Sequence, residues 1–208
     1  GRSDRGRPAA SAVMRVILDA GPMLNFLAVG QENCLIQLAA TFKTELKIPD
    51  QVCAEVRRVG SSGRFRRSGA THRLEVLLTA GRVGLLSDDV STNSVLAHEL
   101  SLVSGAPAAD RIRTSKDLGE LMVIAHACSL AKEGVTACIV IDDGNGRRLA
   151  KAAQKRVEAA GYPGALALLS TRGILEQAEP SWLKGSVDWR DVYARMRAFD
   201  DGLGPLPG

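Results

Sequence analysis

Two short apolar runs of this chain each end on aspartate: Arg15-Val16-Ile17-Leu18-Asp19, and Cys138-Ile139-Val140-Ile141-Asp142-Asp143. Short β-branched runs of this kind fit the buried strands of a parallel sheet. Such strands are covered on both faces and so lack a polar alternation. In open α/β sheets, ligands bind outside the carboxyl ends of the strands. Two acids at two such ends describe one shared acidic crevice. Nothing hydrophobic explains a carboxylate cluster there, and a metal ion is the natural first hypothesis.

The rest of the chain supplies the alternation that such a sheet needs. Further strands are expected at 46–48, 83–86 and 165–169. Helices are expected at 23–28, opened by Pro22, and at 32–42, 73–79, 91–103, 147–160, 171–178 and 188–199. One more helix starts at Asp50, read as its N-cap. Another starts at Thr114-Ser115-Lys116-Asp117, which has capping-box spacing, and runs to Lys132, with Gly134 closing it. Strands that alternate with helices imply a three-layer α/β/α sandwich around a central, mainly parallel sheet. With 208 residues, the chain fits one domain carrying an insertion. The expected organisation is an unpatterned, disordered segment at 1–13, with Met14 a sensible natural start. A domain over 14–178 follows, with a basic and helical insertion near 57–114. A C-terminal extension over 179–208 carries one helix.

Composition narrows the class. The chain is 45% hydrophobic but only 4% aromatic, so its core is mainly Leu, Val, Ile and Ala. No apolar stretch approaches the ~18 residues of a membrane span, and no signal-peptide core is visible. The four cysteines, Cys34, Cys53, Cys128 and Cys138, form no CxxC pair. They read as reduced, buried thiols of a cytoplasmic protein. Net charge is +4, and arginine outnumbers lysine 20 to 7. Between Glu55 and Glu75 there is no acid, while Arg57, Arg58, Arg64, Arg66, Arg67 and Arg73 all lie there. Arginine forks bind phosphate well. A solvated loop written in arginine codons is an equally good account of the same run. His72, His98 and His126 are scattered, without zinc-ligand spacing.

Glu55, early on one helix, and Glu120, in the first turn of another, join the strand-end acids. Helix N-termini are electropositive and hold carboxylates, and Gly119 leaves the backbone beside Glu120 unshielded. Each acid alone has an ordinary role: Asp19 as a turn cap, Glu55 on a solvated face, Glu120 complementing a helix dipole, Asp142 in an Asx turn. The four contexts together, in this order, are harder to explain that way.

Those contexts carry a family resemblance. Asp19 in Val-Ile-Leu-Asp-Ala-Gly-Pro, Glu55 in Ile-Pro-x-x-Val-x-x-Glu-Val, Glu120 in Gly-Glu-Leu-Met-Val-Ile-Ala, and Asp142-Asp143 in Ile-Asp-Asp-x-x-x-Arg-x-x-Ala resemble the acidic motifs of PIN domains. The resemblance covers roughly residues 15–178. It implies a PIN-like sandwich and a Mg²⁺- or Mn²⁺-dependent endoribonuclease, with RNA as substrate. It also implies a toxin of the VapC type, paired with an antitoxin protein and able to form a homodimer. Alternatives are a PIN fold without activity that serves as a scaffold, and a PIN nuclease outside any toxin–antitoxin pair. Two departures stand out. Ala20-Gly21 follows the first aspartate, where Ser, Thr or Asn is frequent, and Ile141 occupies the Thr place of a Thr-x-Asp motif.

The resemblance makes Asp19, Glu55, Glu120, Asp142 and Asp143 the expected catalytic acids. Asp19 and Glu120 are expected as direct ligands with Asp143 or Asp142, and Glu55 as ligand or water-holder. Strand alternation sends Asp142 and Asp143 to opposite sides, so both need not bind. Arg147 or Arg148 is expected to reach a substrate phosphate, and Arg64, Arg66 and Arg67 to bind RNA backbone with a salt-dependent affinity or to hold an acidic antitoxin segment.

Overall fold

The computed structural model describes residues 13–185, 187–200 and 202–206. Residues 1–12, where the disordered segment was expected, lie outside the described residues.

Five strands form a single sheet: β1 (Met14–Leu18), β2 (Leu46–Pro49), β3 (Val83–Leu86), β4 (Thr136–Val140) and β5 (Leu166–Leu169). Every pairing is parallel, and the order is β3-β2-β1-β4-β5. Parallel neighbours require crossovers, and the helices supply them. From β1 to β2 the chain passes through α1 (Ala20–Ala28) and α2 (Glu32–Thr41). From β2 to β3 it passes through α3 (Asp50–Gly60) and α4 (Ala70–Thr79), and from β4 to β5 through α8 (Gly144–Ala159). The long return from β3 to β4 holds α5 (Ser94–Ser104), α6 (Ala108–Arg111) and α7 (Leu118–Lys132). After β5 come α9 (Thr171–Gln177) and α10 (Trp189–Arg197). The result is a three-layer α/β/α sandwich with an all-parallel sheet.

The central strands are wholly buried from Val16 to Leu18 and from Ile139 to Ile141. Helix α7 is apolar nearly all round, as a helix enclosed by others has to be. It packs on β4, on α5 and on α8, and its residues 121–129 are all buried.

Several local expectations are corrected. Helix α1 begins at Ala20 with Asp19 as N-cap, so Pro22 sits within the first turn. Its missing N–H costs nothing there. Pro49, not Asp50, precedes α3, and the Asp50 carboxylate instead accepts from the Asp88 N–H (3.2 Å). Thr114 caps nothing: α7 starts at Leu118 behind Asp117, whose φ of 55° is left-handed. The 57–114 segment contributes β3 to the sheet, at the place where a strand was expected. Its arginine run includes a 3₁₀ turn, Gly63–Arg67.

The C-terminal stretch is part of the packed domain. Leu183, Val192, Tyr193, Met196 and Leu203 are buried in the main core. Gln31 donates to Lys184 O (3.1 Å), Asn33 donates to Trp182 O (2.9 Å), and Asn25 donates to Asp200 Oδ2 (2.8 Å). All four cysteines are buried and unpaired, and burial pushes the Cys34 and Cys138 thiols up to about 11. Among the described residues, no helix is long and apolar enough to cross a membrane.

Helix α5 is pinned by a polar contact as well as by leucines. Glu99 is wholly buried, accepting from Arg156 of α8 (2.7 Å) and from the Tyr162 hydroxyl (2.6 Å). Substituting Glu99→Ala strands both donors, and the expected loss is about 1–3 kcal/mol. Urea denaturation reads this as a lower midpoint with an unchanged slope; a midpoint equal to wild type refutes the assignment.

Candidate functional site

The sheet order places β1 and β4 side by side in its middle, although the chain leaves β1 towards β2 and leaves β4 towards β5. This reversal is the topological switch point, where open sheets leave a crevice at the strand carboxyl ends. Asp19 follows β1 directly, and its N–H donates to Val140 O (3.0 Å), which extends the β1–β4 pairing to the crevice floor. A crevice of about 560 Å³ opens there, and Asp19, Glu55, Glu120 and Asp143 all line it. Thus four of the five acids singled out in the sequence converge, each from a different segment.

The fifth, Asp142, does not line the crevice. Its carboxylate accepts the Thr171 N–H (2.8 Å) and the Thr171 hydroxyl, fastening the start of α9 to the end of β4. Burial, the largest influence, raises its pKa, and the Thr171 hydrogen bonds oppose that. Asp143 is the N-cap of α8, accepting from Gly146 N–H (2.9 Å) while remaining exposed to the crevice. The alternation expected of adjacent residues therefore separates a structural acid from a crevice acid.

Two glycines make room for the cluster. A Cβ on Gly146 would stand 2.8 Å from Glu120 Cδ and would press on the Ile141 side chain. A Cβ on Gly119 would stand 3.2 Å from Glu55 Oε2. Gly119 is itself buried, so its role is to let α7 approach α3 rather than to expose backbone to a ligand. Asn145 donates to Glu120 Oε1 (3.2 Å) and accepts from Arg148 (2.8 Å), which orients that carboxylate from the side.

The acids feel one another. Burial, followed by the charges of Glu55, Asp142 and Asp143, lifts Asp19 from its ordinary 3.8 to about 7. Burial, followed by Asp143, Asp19 and Asp117, lifts Glu120 from 4.5 to about 7. A compensating cation reverses both effects. Among the described residues, however, no group of three or more His, Cys, Asp or Glu side chains stands close enough to hold one ion as arranged.

The arginines divide. Arg147 is turned inward, donating to Ile141 O (3.0 Å) and Leu169 O (3.2 Å), so it braces the ends of β4 and β5 instead of reaching a phosphate. Arg148 is exposed beside the crevice. Arg64, Arg66 and Arg67 are exposed, but none lines the crevice. Arg57 pairs with Glu75 (2.7 Å), and Arg73 donates to Leu27 O (2.9 Å) and Ser68 O (2.6 Å). The cations that do line the crevice are Arg58 and Lys116. Arg58 belongs to the arginine run read from the sequence as a phosphate-binding stretch, whereas the sequence assigned no site role to Lys116, Asp117 or Asn145. For Asp117 the signal was present, since it lies three residues before Glu120 in the same motif.

His126 belongs to a different contact. Its Nε2 lies 2.8 Å from Asp88 Oδ1, and Asp88 Oδ2 accepts the Gln51 N–H at the start of α3 (2.7 Å). Asp88 thus ties the helix that carries Glu55 to the helix that carries Glu120.

Stability has a defined pH dependence. Asp19 and Glu120 have folded pKa values raised above their unfolded ones. Their stabilising contribution is therefore complete below about pH 4 and is lost as pH climbs through about 7. In metal-free protein, Asp19→Asn is expected to raise the melting temperature most at about pH 8, less at about pH 5, and hardly at all below about pH 4. Equal effects at all these pH values contradict the burial and repulsion assigned to Asp19. The acidic pair is tested separately. Asp142→Ala removes a carboxylate acceptor from a buried backbone N–H, with an expected cost of about 1.5–3 kcal/mol. Asp143→Ala removes an N-cap and costs only about 1 kcal/mol.

Compared with protein families, with curated proteins and with solved structures, the chain gives no match.

Proposed function

We propose that this chain is a metal-dependent endoribonuclease of the PIN type. We further propose that it works in the cytoplasm as the toxin of a type II toxin–antitoxin pair. The observation that carries the nuclease reading is the convergence of Asp19, Glu55, Glu120 and Asp143 in one crevice at the switch point of a parallel sheet. The toxin role, the antitoxin partner and a homodimer rest on the motif resemblance alone.

The donor chemistry suits a hard divalent cation, since every acid of the crevice offers carboxylate oxygen. The space kept by Gly119 and Gly146 suits it too. Asp19, Glu120 and Asp143 are the residues to hold Mg²⁺ or Mn²⁺, with Glu55 holding the ion or one of its waters. Mg²⁺ retains several waters, which accommodates acids spaced too widely to ligate one ion directly. Such an ion supplies charge neutralisation at a phosphodiester and a water of lowered pKa. The protein's own part is orientation and charge. Asn145 fixes one face of Glu120, and Arg58 and Lys116 bring positive charge to a crevice that has to admit a polyanion. Asp88, through Gln51 N–H and His126, holds α3 and α7 in register.

The spacing of the acids favours one second reading, a PIN fold that binds without cutting. A single experiment separates the two. Labelled RNA is incubated with the protein in Mg²⁺, in Mn²⁺ and in chelator, beside Asp19→Asn and Glu120→Gln. The nuclease reading expects metal-dependent cleavage with 5′-phosphate ends. Each variant is expected to lose on the order of 10²-fold in rate, the scale of removing one pre-organised charge-stabilising group. Absence of cleavage with either metal, or cleavage indifferent to chelator, removes the nuclease and leaves the binding module.

A further inference from the structure

Helix α8 leaves the crevice with an uncompensated row of cations. Gly144, Arg147, Arg148, Lys151, Ala152 and Lys155 line one shallow groove of about 560 Å³ on its outer face. Arg148, Lys151 and Lys155 follow at spacings of three and four residues, so they stand one above the other on a single helix face. From Arg148 to Lys155 the row runs about 10.5 Å. All three are exposed, and among the described residues Lys151 and Lys155 pair with no carboxylate. Some cations elsewhere do have carboxylate partners: Arg57 pairs with Glu75, Lys47 with Glu45, Arg172 with Glu176 and Lys184 with Glu32.

The row is joined to the crevice at its upper end. Gly144 adjoins Asp143, and Arg148 connects to Glu120 through Asn145. We propose that Arg148, Lys151 and Lys155 form the track on which the phosphodiester backbone of single-stranded RNA lies as it passes out of the acidic crevice. A single file of cations matches the phosphates of one strand. The groove lining contains no aromatic ring on which a base can stack, so the track grips backbone and reads no sequence. The proposal relies on the ribonuclease reading for its direction from the crevice, whereas its test by binding needs no cleavage.

The test is fluorescence anisotropy of a labelled single-stranded RNA in chelator. It compares wild type, Lys151→Ala/Lys155→Ala and a charge-matched control, Lys132→Ala/Arg190→Ala, whose residues lie outside the groove. Losing two phosphate contacts is expected to make the slope of log affinity against log salt shallower by about 1.4, and to weaken binding about 25-fold at 0.1 M salt. The control is expected to keep the wild-type slope. In a parallel cleavage assay, the double variant raises KM for a long RNA and leaves a dinucleotide unaffected, because the dinucleotide ends before the track. Three results overturn the proposal: no RNA binding by wild type, an equal loss in the control, or unchanged RNA affinity in the double variant. If polyglutamate binding falls in the double variant while RNA binding does not, the groove takes an acidic polypeptide instead, and the proposal is again overturned. Failure of cleavage alone, with the binding results as expected, removes the nuclease reading and leaves the track in place.

Discussion

The pairing of β1 with β4 is the constraint on which the rest depends. Five registered residue pairs run from Met14–Thr136 to Leu18–Val140, and the Asp19 N–H to Val140 carbonyl bond extends the ladder one step further. Asp19 is thereby fixed at the crevice floor, and the residues after Val140 emerge beside it. The strands are apolar on both faces, so no register slip could trade a buried side for a solvated one. The backbone ladder and the crossover helices have to hold the register instead. Every acid of the crevice is then positioned relative to these two chain segments, Glu55 and Glu120 by helices that meet over them.

Bringing like charges together this way opposes folding, and the structure contains specific countermeasures. Asp143 spends one oxygen on the α8 N-terminus, and Glu120 accepts from Asn145. Asp88 clamps α3 to α7 at a distance from the acids, so the approach of Glu55 to Glu120 does not rely on their own contacts. The missing side chains of Gly119 and Gly146 are part of the same arrangement, since a methyl group at either place would push a carboxylate aside.

Much of this was legible in the sequence. All five strands were readable because each is a short apolar run bounded by Gly, Pro or Asp, and the parallel class followed from their alternation with helices. Asp19, Glu120 and Asp143 were readable because strand ends and first helical turns are the places where parallel sheets present side chains; Glu55, in the second turn of α3, was readable only from its motif. What failed were assignments decided by tertiary partners. Thr114 had the spacing of a cap, but Asp117 in a left-handed conformation starts that helix. Arg147 had the position of a phosphate ligand, but two strand-end carbonyls claim it. Asp142 and Asp143 are chemically identical, and their partners separate them, Thr171 for the one and the Gly146 N–H for the other. The exposed row on α8 was visible as sequence but not as a row, because nothing local shows which cations lack a partner.

The contact between Asn25 and Asp200 joins residues 175 positions apart. Arg195 likewise donates to Val29 O (3.1 Å) across 166 positions. The first helix of the domain therefore has to wait for the last one, and β1 has to wait for β4. A chain synthesised from its N-terminus cannot finish its core until residues near 200 have emerged. Contacts of such sequence separation are slow to form. The crevice itself waits for less: its floor is the β1–β4 pairing and its last acid is Asp143, so it cannot exist before the chain has been translated past that residue, whereas the core behind it closes only with the final helix.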